Sequence, residues 1–329
     1  MLLVLYYKRI LTGEKMFTRK KFLKKLKNIL EGTFFTFAFF PLLAELTEAA
    51  ELKSEFDLIA LKGGKGPDDL FRKGISYLGG MGRFVKKGQS VLIKPNIGWD
   101  RAPEYGANTD PVLIGAIVKE CFKAGASEVY VLDHTCDSWK SCYKNSKIEE
   151  NARNSGAKVV PANSKDYYIK ESIPRGKVLK EALVHKLFMQ CDVVINVPIL
   201  KHHSSTGITA SMKNLMGVVW DRYEWHRKDL HQCIADFSTL RKPDLCVLDG
   251  WRVMIKNGPR GYSTSDVIKY EYLFISADPV AIDTAGAAVL AGAGAISGKG
   301  EDIRHIRIAR ENGLGRTDLE RMNIKRITI

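Results

Sequence analysis

Short apolar runs rich in β-branched residues recur along the chain, separated by Gly, Pro and Asp. They fall at 57–61, 90–94, 128–133, 157–160, 192–197, 244–249 and 272–276. Some barely alternate: Asp192-Val193-Val194-Ile195-Asn196-Val197 is apolar at nearly every position. A strand apolar on both faces is one covered on both faces, as in a parallel sheet packed between helices. Helical periodicity fills the intervals at 68–77, 110–124, 140–154, 228–240, 279–290 and 302–311. Two of these begin on Asp110-Pro111 and Asp278-Pro279. Each pair sets a side-chain acceptor just before a proline whose fixed φ suits the first turn. Strand–helix alternation predicts an α/β fold with a mostly parallel, doubly wound sheet and right-handed crossovers. Residues 51–329 read as a single α/β domain, with the irregular polar stretch 199–231 as an inserted functional loop or small lobe. Ligands of such sheets sit beyond the carboxyl ends of the strands.

The first fifty residues read as an address. Thr18-Arg19-Lys20-Lys21-Phe22-Leu23-Lys24 precedes the Phe-rich apolar run 32–44, the layout of a secretory signal. The run is short for a helix of about 20 residues spanning a bilayer, and it contains Pro41. The heptad is similar to a twin-arginine signal in which Lys20 replaces the second Arg. An exported protein is expected, periplasmic or extracytoplasmic. Thr47-Glu48-Ala49 makes a poor cleavage site, so residues 17–46 are expected to serve as a membrane attachment. Met16 would place the basic heptad near the start of the chain, and residues 1–15 read as an upstream misannotation.

Charge changes this picture little. The formal net charge is +14, but residues 1–30 hold nine Lys/Arg against one Glu, which leaves a mildly basic body. That suits a small anionic partner or an anionic membrane surface. Nucleic acid is not expected as a partner, because the basic residues form no stripe with interleaved aromatics. The six Cys include no CxxC, so spacing indicates neither a zinc ribbon nor an iron–sulfur motif. Cys121, Cys191 and Cys246 lie in apolar runs and read as buried small hydrophobes. Cys136 and Cys142 share a polar loop, where an exported protein could pair them.

Gly63-Gly64-Lys65-Gly66 lacks the spacing of a dinucleotide loop, and the Gly-rich segment 292–300 follows a helix and lacks the hydroxyl after Lys299. The informative segment begins at Pro198 and runs through Lys201, His202, His203, Thr206, Thr209, Lys213 and Asn214 to Gly217. It leaves the apolar strand ending at Val197, so its polar side chains emerge at a strand carboxyl end. A neutral imidazole can bind metal or move protons. A poorly hydrated lysine near other cations has a lowered pKa. Adjacent His202 and His203 point to opposite sides of an extended chain, so one of them at most enters a site. Asp133, Asp249 and Asp278 each close or follow a strand, and oxygen ligands with one imidazole would suit a divalent metal.

Taken in order, Val91-Leu92-Ile93-Lys94-Pro95-Asn96, Asn108-Thr109-Asp110-Pro111, Leu200-Lys201-His202-His203, Thr206-Gly207-Ile208-Thr209, Met212-Lys213-Asn214-Leu215-Met216-Gly217, Asp249-Gly250, Asn257-Gly258-Pro259 and Asp278-Pro279-Val280-Ala281 resemble the family called domain of unknown function 362. Many members carry a cysteine-rich iron–sulfur segment, which this chain lacks. Lys94, Asn96, Asp110, His202, Lys213, Asn214, Asp249 and Asp278 match its motifs. On that basis His202, Lys213 and Lys94 are expected as catalytic groups, and Asn96, Asn214, Thr209 and Asp110 as substrate contacts. His202, Asp249 and Asp278 are the expected set for a divalent metal. The leading expectation is an enzyme acting on a small anionic substrate. The alternatives are a non-catalytic anion- or metal-binding protein and an iron–sulfur-associated redox accessory protein.

Overall fold

A computed structural model describes residues 55–329. The expected signal, attachment and start site lie outside the described residues. Among the described residues no helix is long and apolar enough to cross a membrane.

The elements run β1 (Leu58–Lys62), α1 (Pro67–Tyr77), β2 (Ser90–Pro95), α2 (Pro111–Lys123), β3 (Glu128–Val131), α3 (Trp139–Asn145), α4 (Ile148–Asn154), β4 (Lys158–Val159), β5 (Tyr168–Ser172), β6 (Glu181–His185), α5 (Lys186–Gln190) and β7 (Val193–Val197). They continue with β8 (Ile199–His203), β9 (Gly207–Thr209), α6 (Ser211–Asn214), α7 (Tyr223–Arg227), α8 (Leu230–Phe237), β10 (Leu245–Met254), β11 (Val267–Ser276), α9 (Pro279–Gly292), α10 (Arg304–Glu311) and β12 (Ile324–Thr328). The main sheet has the order β12-β1-β11-β10-β7-β2-β3-β4. Along this path every neighbour pair is parallel except those made by β11, which runs antiparallel to β1 and β10. The α/β, mostly parallel sheet is the one expected. β5 and β6 form a separate two-stranded hairpin.

Side-chain parity builds two cores. Val91, Ile93, Val193, Ile195, Leu245 and Val247 face the layer of α1, α2 and α4. Leu92, Val194, Cys246 and Leu248 face α8, α9 and α10. Burial on both faces is the reason these strands are apolar throughout, since a polar group at either parity would lose its water.

Two features position the site. From β2 the winding proceeds to β3 and β4 on one side, whereas β7 returns to the other side of β2 and is followed outward by β10. The winding therefore reverses between β2 and β7, and the carboxyl ends there open a crevice. The stretch 199–231 is not an irregular loop. Its first part forms β8 and β9, with β8 parallel to β10 and antiparallel to β9. Its apolar positions Leu200, Ile208, Met212 and Leu215 join the core beneath, which is why so polar a segment is held in regular structure.

Candidate active site

A cavity of about 350 Å³ opens over the carboxyl ends of β2 and β7. Its floor is an amide network. Asn214 donates to Asn196 Oδ1 (2.8 Å) and to the Lys94 carbonyl (3.1 Å), and receives Nδ2 of Asn96 at 2.9 Å. The short helix α6, which presents Asn214 and Lys213, is anchored from below. Buried Asp283 accepts the backbone N–H groups of Ser211 (2.5 Å) and Met212 (3.0 Å). Burial raises the Asp283 carboxyl to about 7 despite those two donors.

Lys94 lies under this floor, fully buried, with Nζ 2.8 Å from Asp133. Asp133 also accepts the Ile97 N–H at 2.6 Å. Burial lowers the Lys94 pKa, and the Asp133 carboxylate opposes the shift. Gly217 closes over this pair. A Cβ there would sit 1.8 Å from Asp133 Oδ1 and 2.7 Å from Lys94 Cε, so only glycine lets the backbone approach. Lys94 is thus a buried structural cation and does not line the cavity.

The walls are cationic. Lys201 and Thr209 are cross-strand partners in the β8–β9 pair, so they share a face, and His203 two residues on lies on the same side. All three line the cavity together with Lys213 and Arg222. Lys201 donates to Asn96 Oδ1 at 3.2 Å and to the Ala107 carbonyl. Burial, reinforced by Lys213 and Lys94, brings its pKa down to about 7. Burial with Arg222 nearby lowers Lys213 to about 8, and among the described residues its hydrogen-bond contact is Met216 Sδ at 3.7 Å. Burial and the same lysines hold His203 neutral, with a pKa of about 2. Arg222 donates to the carbonyls of His134 and Thr135, and reaches Cys136 Sγ at 3.4 Å. Thr209 is 3% exposed, and among the described residues its hydroxyl oxygen has no hydrogen-bond partner. Among the described residues the one carboxylate on the lining is Asp133, already committed to Lys94.

The expected site residues therefore divide. Asn96, Thr209, Lys213 and Asn214 come together at the cavity. His202 does not: it faces away from Lys201, and its Nδ1 accepts the Gly258 N–H at 3.2 Å. The histidine of the pair that enters is His203. Asp110 is the cap of α2, accepting Val112 N–H, and pairs with Arg252 at 2.5 Å. Asp249 is buried and accepts the N–H groups of Asp110 (2.7 Å) and Trp251 (3.0 Å). Its pKa is raised by burial and by the Asp110 charge. Asp278 caps α9 through Val280 and Ala281 and also accepts Arg316 N–H. His202, Asp249 and Asp278 each have separate backbone duties and do not form the expected metal set. Among the described residues no group of three or more His, Cys, Asp or Glu is placed to hold a metal. Cys136 and Cys142 are both free thiols: Cys142 is buried and Cys136 is exposed.

The unpartnered Thr209 hydroxyl gives a direct test. Thr209→Val removes a buried orphan oxygen, so the unliganded protein should unfold no more easily than wild type. Urea unfolding measures it, and a loss of more than about 1 kcal/mol would show that the hydroxyl has a partner after all.

A doubly wound sheet with a cavity at its reversal point, lined by Lys201, Lys213 and Arg222, defines the class of this molecule as α/β. The chain belongs to the family described as Domain of unknown function (DUF362), whose model matches residues 91–288. It is 30% identical over 191 residues to the "Thylakoid-associated protein sll1697" of Synechocystis sp. (strain ATCC 27184 / PCC 6803 / Kazusa), covering 55% of this chain and 58% of that protein. Among solved structures it is similar to the lactate racemase apoprotein from Thermoanaerobacterium thermosaccharolyticum, with a TM-score of 0.44, 12% identity, and coverage of 67% of this chain and 54% of that one.

Proposed function

We propose that the protein is an enzyme acting on a small anionic substrate, a carboxylate or phosphate bound between Lys213, Arg222 and Thr209. The observation that carries this reading is the imbalance of the cavity walls. Lys201, Lys213 and Arg222 line one space in which the single carboxylate, Asp133, is neutralised by Lys94. Cations gathered without counter-charge are costly in the unliganded protein, and an anion relieves that cost. Lys201 supports chemistry beyond binding. An amine with a pKa of about 7 exists in both protonation states near neutrality, which suits proton transfer to or from a bound substrate.

Inorganic phosphate should raise the melting temperature in a saturable way, and Lys213→Gln should shift the half-saturating concentration upward about tenfold. A melting temperature indifferent to phosphate, sulfate and small carboxylates alike would remove the reading. A protein that only bound the anion would show the same thermal response but no turnover in any screen of phosphorylated and carboxylate metabolites.

A further inference from the structure

Cys136 stands apart from the other cysteines. Cys121, Cys142, Cys191, Cys233 and Cys246 are all buried, and burial raises the thiol pKa of each, Cys142 and Cys246 to about 12. Cys136 is exposed and lines the cationic cavity. Its backbone N–H donates to the Gly98 carbonyl at 2.7 Å, which fixes the loop that presents the sulfur. Arg222 Nη2 lies 3.4 Å from Sγ, while the same guanidinium is locked onto two carbonyls of that loop. Lys201 and Lys213 line the same cavity as Cys136. Across the same cavity the Thr209 hydroxyl, 3% exposed and without a partner, independently marks a place for a ligand oxygen.

We propose that Cys136 is a nucleophile that forms a covalent adduct with a small anion carrying an electrophilic carbon. This rests on the anion-binding reading of the cavity and adds the reacting atom. Lys213, Arg222 and the Thr209 hydroxyl hold the anionic end of the ligand. The Cys136 thiol, which is open to solvent, gives its proton to water, and the thiolate supplies its electron pair to the ligand carbon, so that the S–C bond forms. The bond from that carbon to its leaving group breaks, and the leaving group departs with the bonding pair. No oxidant or reductant is needed. The thiolate is the attacking form, as at any cysteine. Discrimination comes from the cations, which raise the local concentration of an anionic electrophile over a neutral one.

Iodoacetate and iodoacetamide are matched probes, differing in charge and sharing iodide as leaving group. Under native conditions iodoacetate should alkylate Cys136 about tenfold faster than iodoacetamide, the reverse of the order for a free thiol in solution. Peptide mapping should locate the label at Cys136, and Cys136→Ser should abolish it. Lys213→Gln should remove the preference for the anionic reagent, and saturating phosphate should slow carboxymethylation. The melting temperature in phosphate is measured on the same wild-type preparation. A phosphate-induced rise without any preference for iodoacetate overturns the nucleophile and leaves the anion cavity standing. The absence of any phosphate effect on melting overturns both.

Discussion

Replacing Lys94 with Met should lower the unfolding free energy by about 3–5 kcal/mol, the cost of leaving a buried charge without its partner. Asp133 would remain, 3% exposed, with the Ile97 N–H but no ammonium to balance its charge. Water would solvate it poorly, because Asp133 meets the cavity only at its edge and Gly217 packs against both members of the pair with no side chain between. The companion variant Lys94→Met with Asp133→Asn should recover a substantial part of the loss, since a neutral amide can sit there without a counter-ion. Urea unfolding with a constant m-value measures both. A loss under about 1 kcal/mol for the single variant would mean that Lys94 is not a structural cation, and its return to the list of reacting groups would follow.

The sequence pattern carried the sheet further than it carried the site. Strands apolar at both parities, such as 193–197, announce a covered parallel sheet because that property depends only on what lies above and below. The caps Asp110 and Asp278 were equally legible, because capping is local, and both make the expected N–H bonds. The same legibility misled at the metal set. An Asp at a strand end looks alike whether it caps a helix or faces a cavity, and here the cap or backbone bond wins. The histidine pair turned on parity. Leu200, His202 and Ile208 lie on one face of the β8–β9 pair, whereas Lys201, His203 and Thr209 lie on the other, which faces the cavity. Alternation shows that the two histidines diverge but not which one enters, because Ile199 and Leu200 are both apolar and both buried. Arg222, Asp133 and Cys136 had no comparable signal as a group. They are brought beside residues of other segments by the β2–β7 reversal and the β8–β9 hairpin, which the local pattern does not encode.

Between pH 7 and 8.5 the ligand-free protein should become more stable as pH rises, by about 1 kcal/mol, and phosphate should flatten that slope. Lys201 and Lys213 have folded-state values of about 7 and about 8, below the ordinary lysine value of 10.5. In this window the unfolded chain keeps both protons while the folded protein releases them. The unfolded state therefore binds more protons, and the sign of the slope is positive. Other buried groups reduce this slope without reversing it. Asp249 and Asp283, both raised to about 7, make most of their change below the window and oppose the slope within it. His203 and His305, lowered to about 2 and about 3, are neutral in the fold, and their unfolded forms lose the proton near 6.5. The buried thiols begin to matter only as the unfolded cysteines ionise near pH 9, where they act in the opposite direction. A bound phosphate restores a counter-charge to both ammonium groups and keeps them protonated, so its affinity falls across the same interval. Urea unfolding at half-unit pH steps, with and without saturating phosphate, measures both arms. Parallel curves, or a ligand-free curve that falls from pH 7 to 8.5, would mean that the two lysines keep their charge without a partner, and with it would go the physical reason for an anion in this cavity.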